Sequence, residues 1–258
     1  MMLLNRDLND IDQTNYDNIY NKRLEAEDKW LKAAAVQRVD NIYYFLKRFN
    51  LKPNRIMDLG CGTGAVTGEL KKRGIGKEYS AVDYSGEAVD LLKKTLTDVN
   101  AYVADLTAES ADIKGDFDLV IAIHVLQHLL NPDQFLQNIQ KNFSYQHVII
   151  EVPLEDLFMN KLVSKIGLND KNPTGTLQFF NKKTITEMIT RNGFKIIATK
   201  NSIPKISLKT LNILKQRYSW SGIQFAKKFF TSFIFPKIFG PVKKRLHYSY
   251  YSILCVKN

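Results

Sequence analysis

The chain has 258 residues, 45% of them hydrophobic and 24% charged, which suits one large core with an insertion and excludes a disordered chain. Its two cysteines, Cys61 and Cys255, stand far apart with no Cys-x-x-Cys pair, so neither a disulfide framework nor a structural zinc site is expected. The net charge of +11 is lopsided: the last acidic residue is Glu187, 14 of the 37 Lys and Arg follow it, and the first 187 residues carry 23 basic against 26 acidic side chains.

The opening MMLLNRDLNDID has too short an apolar stretch, and charge too early, for a signal peptide. No run approaches the roughly 18 apolar residues that span a bilayer. A cytoplasmic protein is expected. Residues 14–50 show apolar and aromatic residues at three- and four-residue steps, from Tyr16 to Leu46, and predict a helical cover over 1–50 that Pro53 ends. Tyr16, Tyr20 and Trp30 in it are either lid residues or simple helix packing. Arg55–Leu59 then reads as a strand, running into Gly60-Cys61-Gly62-Thr63-Gly64 and a helix from Ala65 to Arg73. The alternation continues with a strand Tyr79–Val82, a helix Ser85–Leu96 capped by Ser85, and a strand Ala101–Ala104. A strand Leu119–Ile123, a helix Pro132–Asn142 and a strand His147–Val152 follow. Such alternation predicts a Rossmann-like α/β fold, a mostly parallel sheet with helices on both faces. After Pro153 the rhythm breaks over 154–180, around the loop Asn172-Pro173-Thr174-Gly175. Thr184–Arg191 reads as a helix stopped at Asn192-Gly193, Phe194–Ala198 as a strand and Tyr248–Val256 as the last one. The core is therefore assigned to 51–202 and 248–258, with 203–247 as an insertion.

The glycine loop joins a strand to a helix, where glycines let a ligand approach the backbone and the helix start offers free N–H groups. Alone it is a weak signal, since a tight turn without a ligand has the same pattern. Three carboxylates strengthen it. Asp58 lies two residues before Gly60; Asp83 ends the second strand, 19 residues after Gly64, where it can accept from a ribose diol; Asp105 and Leu106 end the third, placed to meet an adenine ring. Gly60, Gly62 and Ala65 also fit a dinucleotide pattern, but Asp58 would repel a pyrophosphate. S-adenosylmethionine, carrying an ammonium and a sulfonium, is the ligand that the carboxylates favour.

IMDLGCGTG, AVDYS, VADL and FDLVIAIHVLQHL together resemble the class I S-adenosylmethionine-dependent methyltransferases over about residues 50–152, and LQFFNKKTITEMITRNGFKI resembles the segment leading to their sixth strand. The resemblance implies seven strands, the last antiparallel and inserted near the edge. It implies that Gly60, Gly62 and Gly64 approach the methionine moiety, that Asp83 holds the ribose and Asp105 the adenine, and that His124 and Val125 lie beside the sulfonium; Asp58, Cys61, Tyr84 and Leu106 complete the expected cofactor-binding set. Ubiquinone-pathway O-methyltransferases look similar here but carry glutamates where this chain has His124 and Gln127. No metal is expected, no carboxylate being seen near His124 and His128 to complete a site.

Methyl transfer is an in-line displacement that positioning can largely drive, and a base is needed only where a hydroxyl must lose its proton. His128 and His124, four apart and on one face if the turn is helical, are the candidate bases; common packing of the cofactor loop is the alternative for His128. The Asn/Asp-Pro-Pro-aromatic motif of amino-group nucleic-acid methyltransferases is absent, and neither cysteine is placed as a nucleophile. The expected reaction is O-methylation of a sugar, glycan or other small-molecule acceptor, with an anionic and lipid-linked form in view. Residues 203–247 hold ten Lys and Arg, no acid, and Tyr218, Trp220, Phe225, Phe229, Phe230, Phe233, Phe235 and Phe239. Four readings stay open for them: a helical cap, peripheral binding at the inner face of a membrane, a lid over an acidic sugar, or a surface for RNA. A tRNA methyltransferase and a non-catalytic cofactor-binding module are the rival functions.

Overall fold

The computed structural model describes residues 13–108, 113–154, 176–205, 207–230, 233 and 249–258, with backbone alone for 13–23 and 227. The expected loop 172–175 lies outside the described residues, as do Phe235 and Phe239 and the side chains of Tyr16 and Tyr20.

A 36-residue helix, α1 (Gln13–Arg48), leads in. Its second half buries Ala35, Val39, Ile42, Phe45 and Leu46, spaced to fall on one face. Far from lying loosely over the molecule, that face is part of the core. The chain leaves the helix through Asn50, in left-handed backbone at φ 51°.

Seven strands then form one sheet in the order β3-β2-β1-β4-β5-β7-β6. They are β1 (Arg55–Leu59), β2 (Glu78–Asp83), β3 (Asn100–Val103), β4 (Gly115–Ile123), β5 (Phe143–Leu154), β6 (Phe194–Ser202) and β7 (Ser249–Lys257). The first five are parallel, and β7 runs antiparallel between β5 and β6. Helices α2 (Ala65–Lys72) and α3 (Gly86–Thr95) follow β1 and β2, while α4 (Pro132–Asn142) and α5 (Lys182–Arg191) lie between β4 and β5 and before β6. Alternate residues along a strand feed opposite faces. Val120, Val148 and Ile150 join Phe135, Ile139 and Ile189 in one core; Leu119, Ile121 and Ile149 join Val39, Phe45 and Leu92 in the other.

Most strands exceed their expected lengths. β4 begins at Gly115, since Asp118 within it is used: its carboxylate accepts from the N–H groups of Asn54 and Arg55 at 2.7 and 2.9 Å. β5 runs through Pro153, which pairs with Tyr250 on antiparallel β7. α5 starts before Thr184 because Asn181 is the cap, its side chain and that of Thr184 each accepting from the other's backbone N–H.

Two helices of the basic segment are described, α6 (Leu208–Arg217) and α7 (Gly222–Phe229). α6 docks on α1. Arg217 meets both carboxylate oxygens of Glu27 at 2.6 and 2.7 Å and lies over the Trp30 ring, and Gln37 bonds the backbone at Ile203 and Lys205. Trp30 thus helps to seat α6. Among the described residues no helix is long and apolar enough to cross a membrane.

Candidate functional site

Strand order reverses between β1 and β4, and the C-terminal strand ends there are where such sheets form their ligand crevice. One wall comes from β1, β2 and β3. Gly60, Gly62 and Gly64 all have positive φ, 71°, 52° and 79°, which side chains rarely tolerate. Gly60 and Cys61 donate to the Val82 carbonyl at 2.8 and 3.0 Å, folding the loop back onto β2. Asp83 then pins it: one carboxylate oxygen accepts from Gly62 N–H at 2.6 Å and the other from Ser85 N–H at 3.0 Å. Asp58 is buried at the end of β1 and accepts from the Thr67 hydroxyl at 2.6 Å and from its backbone N–H. Burial pushes the Asp58 carboxyl up to about 6, with Asp83 adding to the rise and Thr67 and Arg38 opposing it.

The other wall comes from β4, β5, β7 and α1. His124, just past β4, has left-handed backbone at φ 60°, unusual for a residue with a side chain and worth about 1–2 kcal/mol of strain. It is held there from both sides: its N–H donates to the Glu151 carbonyl at 2.8 Å, and the Gln127 side chain donates to its own carbonyl at 2.7 Å. Its Nε2 lies 3.1 Å from Glu151 Oε1, and the Tyr250 ring stands edge-on at 4.5 Å. Glu151 is wholly buried at the end of β5. Its Oε2 accepts from Asn41 Nδ2 of α1 at 2.7 Å and from Ser252 Oγ of β7 at 2.6 Å. Burial alone would raise the Glu151 carboxyl, but the bonds from His124, Ser252 and Asn41 outweigh it and hold the group below the usual carboxylate range. Burial holds the His124 imidazole below its ordinary value, the Arg38 charge adds to that, and Glu151 opposes it.

Arg38, reaching in from α1, interacts electrostatically with Asp58, His124 and Tyr250, and so lies where the two walls meet. It is only 8% exposed, and its Nε has no hydrogen-bond partner. Thr63 Oγ1, in the glycine loop, is likewise buried without one.

The expected residues gather around this crevice, but not all present side chains to it. The Cys61 side chain turns into the core with Ala65, Val66 and Leu70, and burial, with Asp83 and Asp58 nearby, raises its thiol well above the usual value. Leu106 is also a core residue, its carbonyl accepting from Asn138. Asp105 is exposed, with Oδ1 taken by the Thr107 backbone and hydroxyl. Tyr84 is half-buried. Val125 packs on Gly60, where an added Cβ would come within 2.5 Å of it. His124 and His128 do not share a helical face: His124 is in left-handed backbone and the 3-10 turn covers only Leu126–His128. The expectation that no carboxylate lies near His124 is overturned by Glu151, which the parallel pairing of β4 with β5 brings beside it. Among the described residues, no three His, Cys, Asp or Glu form a metal-binding group. Arg38, Asn41, Glu151 and Ser252 went unnoticed in the sequence; the one available signal was a glutamate inside an otherwise apolar strand, VIIEVPL.

Residues 29–199, well over half of the chain, match the methyltransferase-domain family. The chain belongs to it and has the fold of the class I S-adenosylmethionine-dependent methyltransferases. It is 39% identical over 83 residues to the ribosomal protein L11 methyltransferase of Thermotoga neapolitana, 30% of each chain. It is 38% identical over 81 residues to the magnesium-protoporphyrin O-methyltransferase of Rhodobacter capsulatus, 31% of this chain and 35% of that one. The match spans about a third of the length of these relatives. The crystal structure of the magnesium protoporphyrin IX methyltransferase from Synechocystis PCC 6803 with bound SAH shares the fold, with a TM-score of 0.58 at 17% identity over 89% of this chain and 86% of that one. The crevice fits the cofactor chemically. Its carboxylates suit a ligand with two cationic centres, and the orphaned Arg38 and Thr63 groups suit a ligand that also carries a carboxylate.

Proposed function

We propose that the protein is an active O-methyltransferase whose acceptor is a hydroxyl on a sugar, glycan or other small anionic molecule, with a lipid-linked acceptor met at the inner membrane face as its fullest form. The observation that carries the oxygen acceptor is the His124–Glu151 pair, an imidazole held by a buried carboxylate beside the crevice. A hydroxyl has to lose its proton as it attacks, and an imidazole is the side chain suited to take it near neutral pH. S-adenosylmethionine supplies an electrophilic methyl group on its sulfonium. In this reading Asp83 receives the ribose hydroxyls, Asp105 the adenine amino group, Asp58 and the Gly60–Gly64 backbone the methionine ammonium, and Arg38 its carboxylate. His124 serves as base, with His128 as the alternative.

Support for an anionic acceptor and a membrane site comes from the C-terminal part. No Asp or Glu occurs after Glu187. On α6 and α7, Leu208 and Ile223 are exposed, Ile223 by 72%, beside exposed Lys209, Lys215 and Lys228. A basic surface with exposed apolar side chains suits an anionic bilayer.

Transfer from labelled S-adenosylmethionine into a cell extract, split into lipid, soluble, protein and nucleic-acid fractions, tests the reading. Alkali-stable label on oxygen in the lipid or soluble fraction is expected. Label in RNA or protein overturns the acceptor, and cofactor binding without label anywhere favours the non-catalytic module. Failure to bind anionic vesicles at low salt removes the membrane part alone.

A further inference from the structure

We propose that Glu151, clamped by Asn41 and Ser252, is a positioning residue that fixes the tautomer of His124, with the proton on Nε2 and a free base at Nδ1. The inference deepens the O-methyltransfer reading and rests on it for its catalytic consequence, though not for the tautomer itself.

Three donors share the Glu151 carboxylate. Asn41 Nδ2 and Ser252 Oγ both bond to Oε2, at 2.7 and 2.6 Å. Oε1 is left to face His124 Nε2 at 3.1 Å. An ionised carboxylate only accepts, so Nε2 carries the proton, and in the neutral imidazole Nδ1 is then the lone-pair nitrogen. Nδ1 makes no hydrogen bond to a described residue. Neither donor to Oε2 is local: Asn41 comes from α1 and Ser252 from β7, so the clamp forms only when the helix and the inserted strand are both in place. The groups facing His124 are Glu151 from β5, Arg38 from α1 and the Tyr250 ring from β7. The positive φ of His124 fits the same purpose, since strained backbone persists where its surroundings over-determine it, and there both backbone groups of His124 are taken.

In the reaction, Nδ1 takes the acceptor's hydroxyl proton while the oxygen's electron pair forms the bond to the methyl carbon. The pair of the broken carbon–sulfur bond stays on sulfur. The imidazolium that results is stabilised by the carboxylate on Nε2–H and returns its proton to water.

Glu151→Gln gives an unusually sharp test. Asn41 Nδ2 donates to Oε2 and also to Ser202 Oγ at 3.0 Å, and Ser252 Oγ donates to Oε2, so an amide oxygen placed where Oε2 was keeps both donors paired and turns the NH2 group toward His124. Nε2 then has to accept, the proton moves to Nδ1, and the base is blocked while shape and volume are kept. Nitrogen-15 NMR reads the tautomer directly, with the His124 signal assigned by its loss in His124→Asn. The wild-type protein is expected to show Nε2–H with unprotonated Nδ1, and Glu151→Gln the reverse. Turnover is expected to fall roughly 100-fold or more with the affinity for S-adenosylmethionine unchanged, and Glu151→Asp to restore the wild-type tautomer and part of the rate. A wild-type imidazole protonated on Nδ1 overturns the proposal, and so does a tautomer that Glu151→Gln leaves as it was. Should that variant not fold, the wild-type spectrum decides alone. The expected tautomers together with a methylated nitrogen acceptor would leave Glu151's positioning intact and defeat the oxygen reading.

Discussion

The two walls of the crevice are built by different means. The β1–β2–β3 wall is local: the loop 60–64 folds onto Val82, and Asp83 binds Gly62 and Ser85, so residues close in sequence make most of its bonds through backbone groups. The β4–β5 wall is assembled from a distance. The donors to Glu151 Oε2 come from 110 residues before it and 101 after it, and both are side chains. Backbone donors on a tight loop suit a ligand shared by a whole family. Side-chain networks reaching across the fold suit the chemistry that separates one member from another. On this view the first wall governs cofactor affinity, and the second governs turnover and stability.

Asp83→Ala should have the largest effect on the first wall. Two charge-assisted hydrogen bonds to a ribose diol are worth about 3–5 kcal/mol together, so the dissociation constant for S-adenosylmethionine, measured by calorimetry, should rise by at least 100-fold. Next comes Glu151→Ala. It removes a buried acceptor, strands Ser252 and leaves Asn41 with Ser202 Oγ alone, which should cost about 3 kcal/mol in urea unfolding while changing cofactor affinity less than threefold. Were Glu151→Ala to weaken cofactor binding as much as Asp83→Ala, the division between the walls would fail.

That division also explains what could be read without the structure. The glycine loop, Asp58, Asp83 and the strand alternation were legible because local bonding leaves a local pattern. Strand ends were less so. Asp118 and Pro153 look like strand breakers, yet the first bonds the start of β1 and the second pairs with a strand nearly 100 residues on. Glu151 and Ser252 were illegible for the same reason, since only the insertion of β7 beside β5 brings them together. Arg38 and Asn41 sit in a helix whose apolar rhythm gives no sign that polar residues on the same stretch face the sheet. Leu106 and Cys61 show the converse: expected at the cofactor from their place in the sequence, they belong chiefly to the core.

The seam between the walls offers a smaller effect. An added Cβ on Gly60 would come within 2.5 Å of Val125 Cγ2 at a positive φ, whereas one on Gly74, also at positive φ, would meet nothing within 4 Å. Both alanine variants bear backbone strain of about 1–2 kcal/mol, but only Gly60→Ala must also push the β4 loop away. It should cost about 1 kcal/mol more than Gly74→Ala in thermal or urea melts. Equal losses would mean that the walls do not bear on each other at this point.

The last expected effect is one of pH, and its sign follows from Asp58. Its carboxyl lies at about 6 in the folded protein against 3.8 normally, so it contributes most to folding when protonated, below the ordinary value, and that contribution is lost as pH rises through about 6. A cationic ligand reverses the preference, because an ammonium beside Asp58 favours the charged form. Binding of S-adenosylmethionine should therefore tighten as pH rises through 6, by about tenfold, or 1.4 kcal/mol, between pH 5 and 7, with uptake of buffer-detectable protons by the solution as Asp58 ionises. Thr67, Asp83 and Arg38 face the same carboxyl, and each shifts the midpoint without changing its direction. Calorimetry in two buffers of different ionisation enthalpy measures both the slope and the proton. Asp58→Asn should flatten the profile. An unchanged profile in that variant would assign the pH response to the other wall, where His124 is the titrating group.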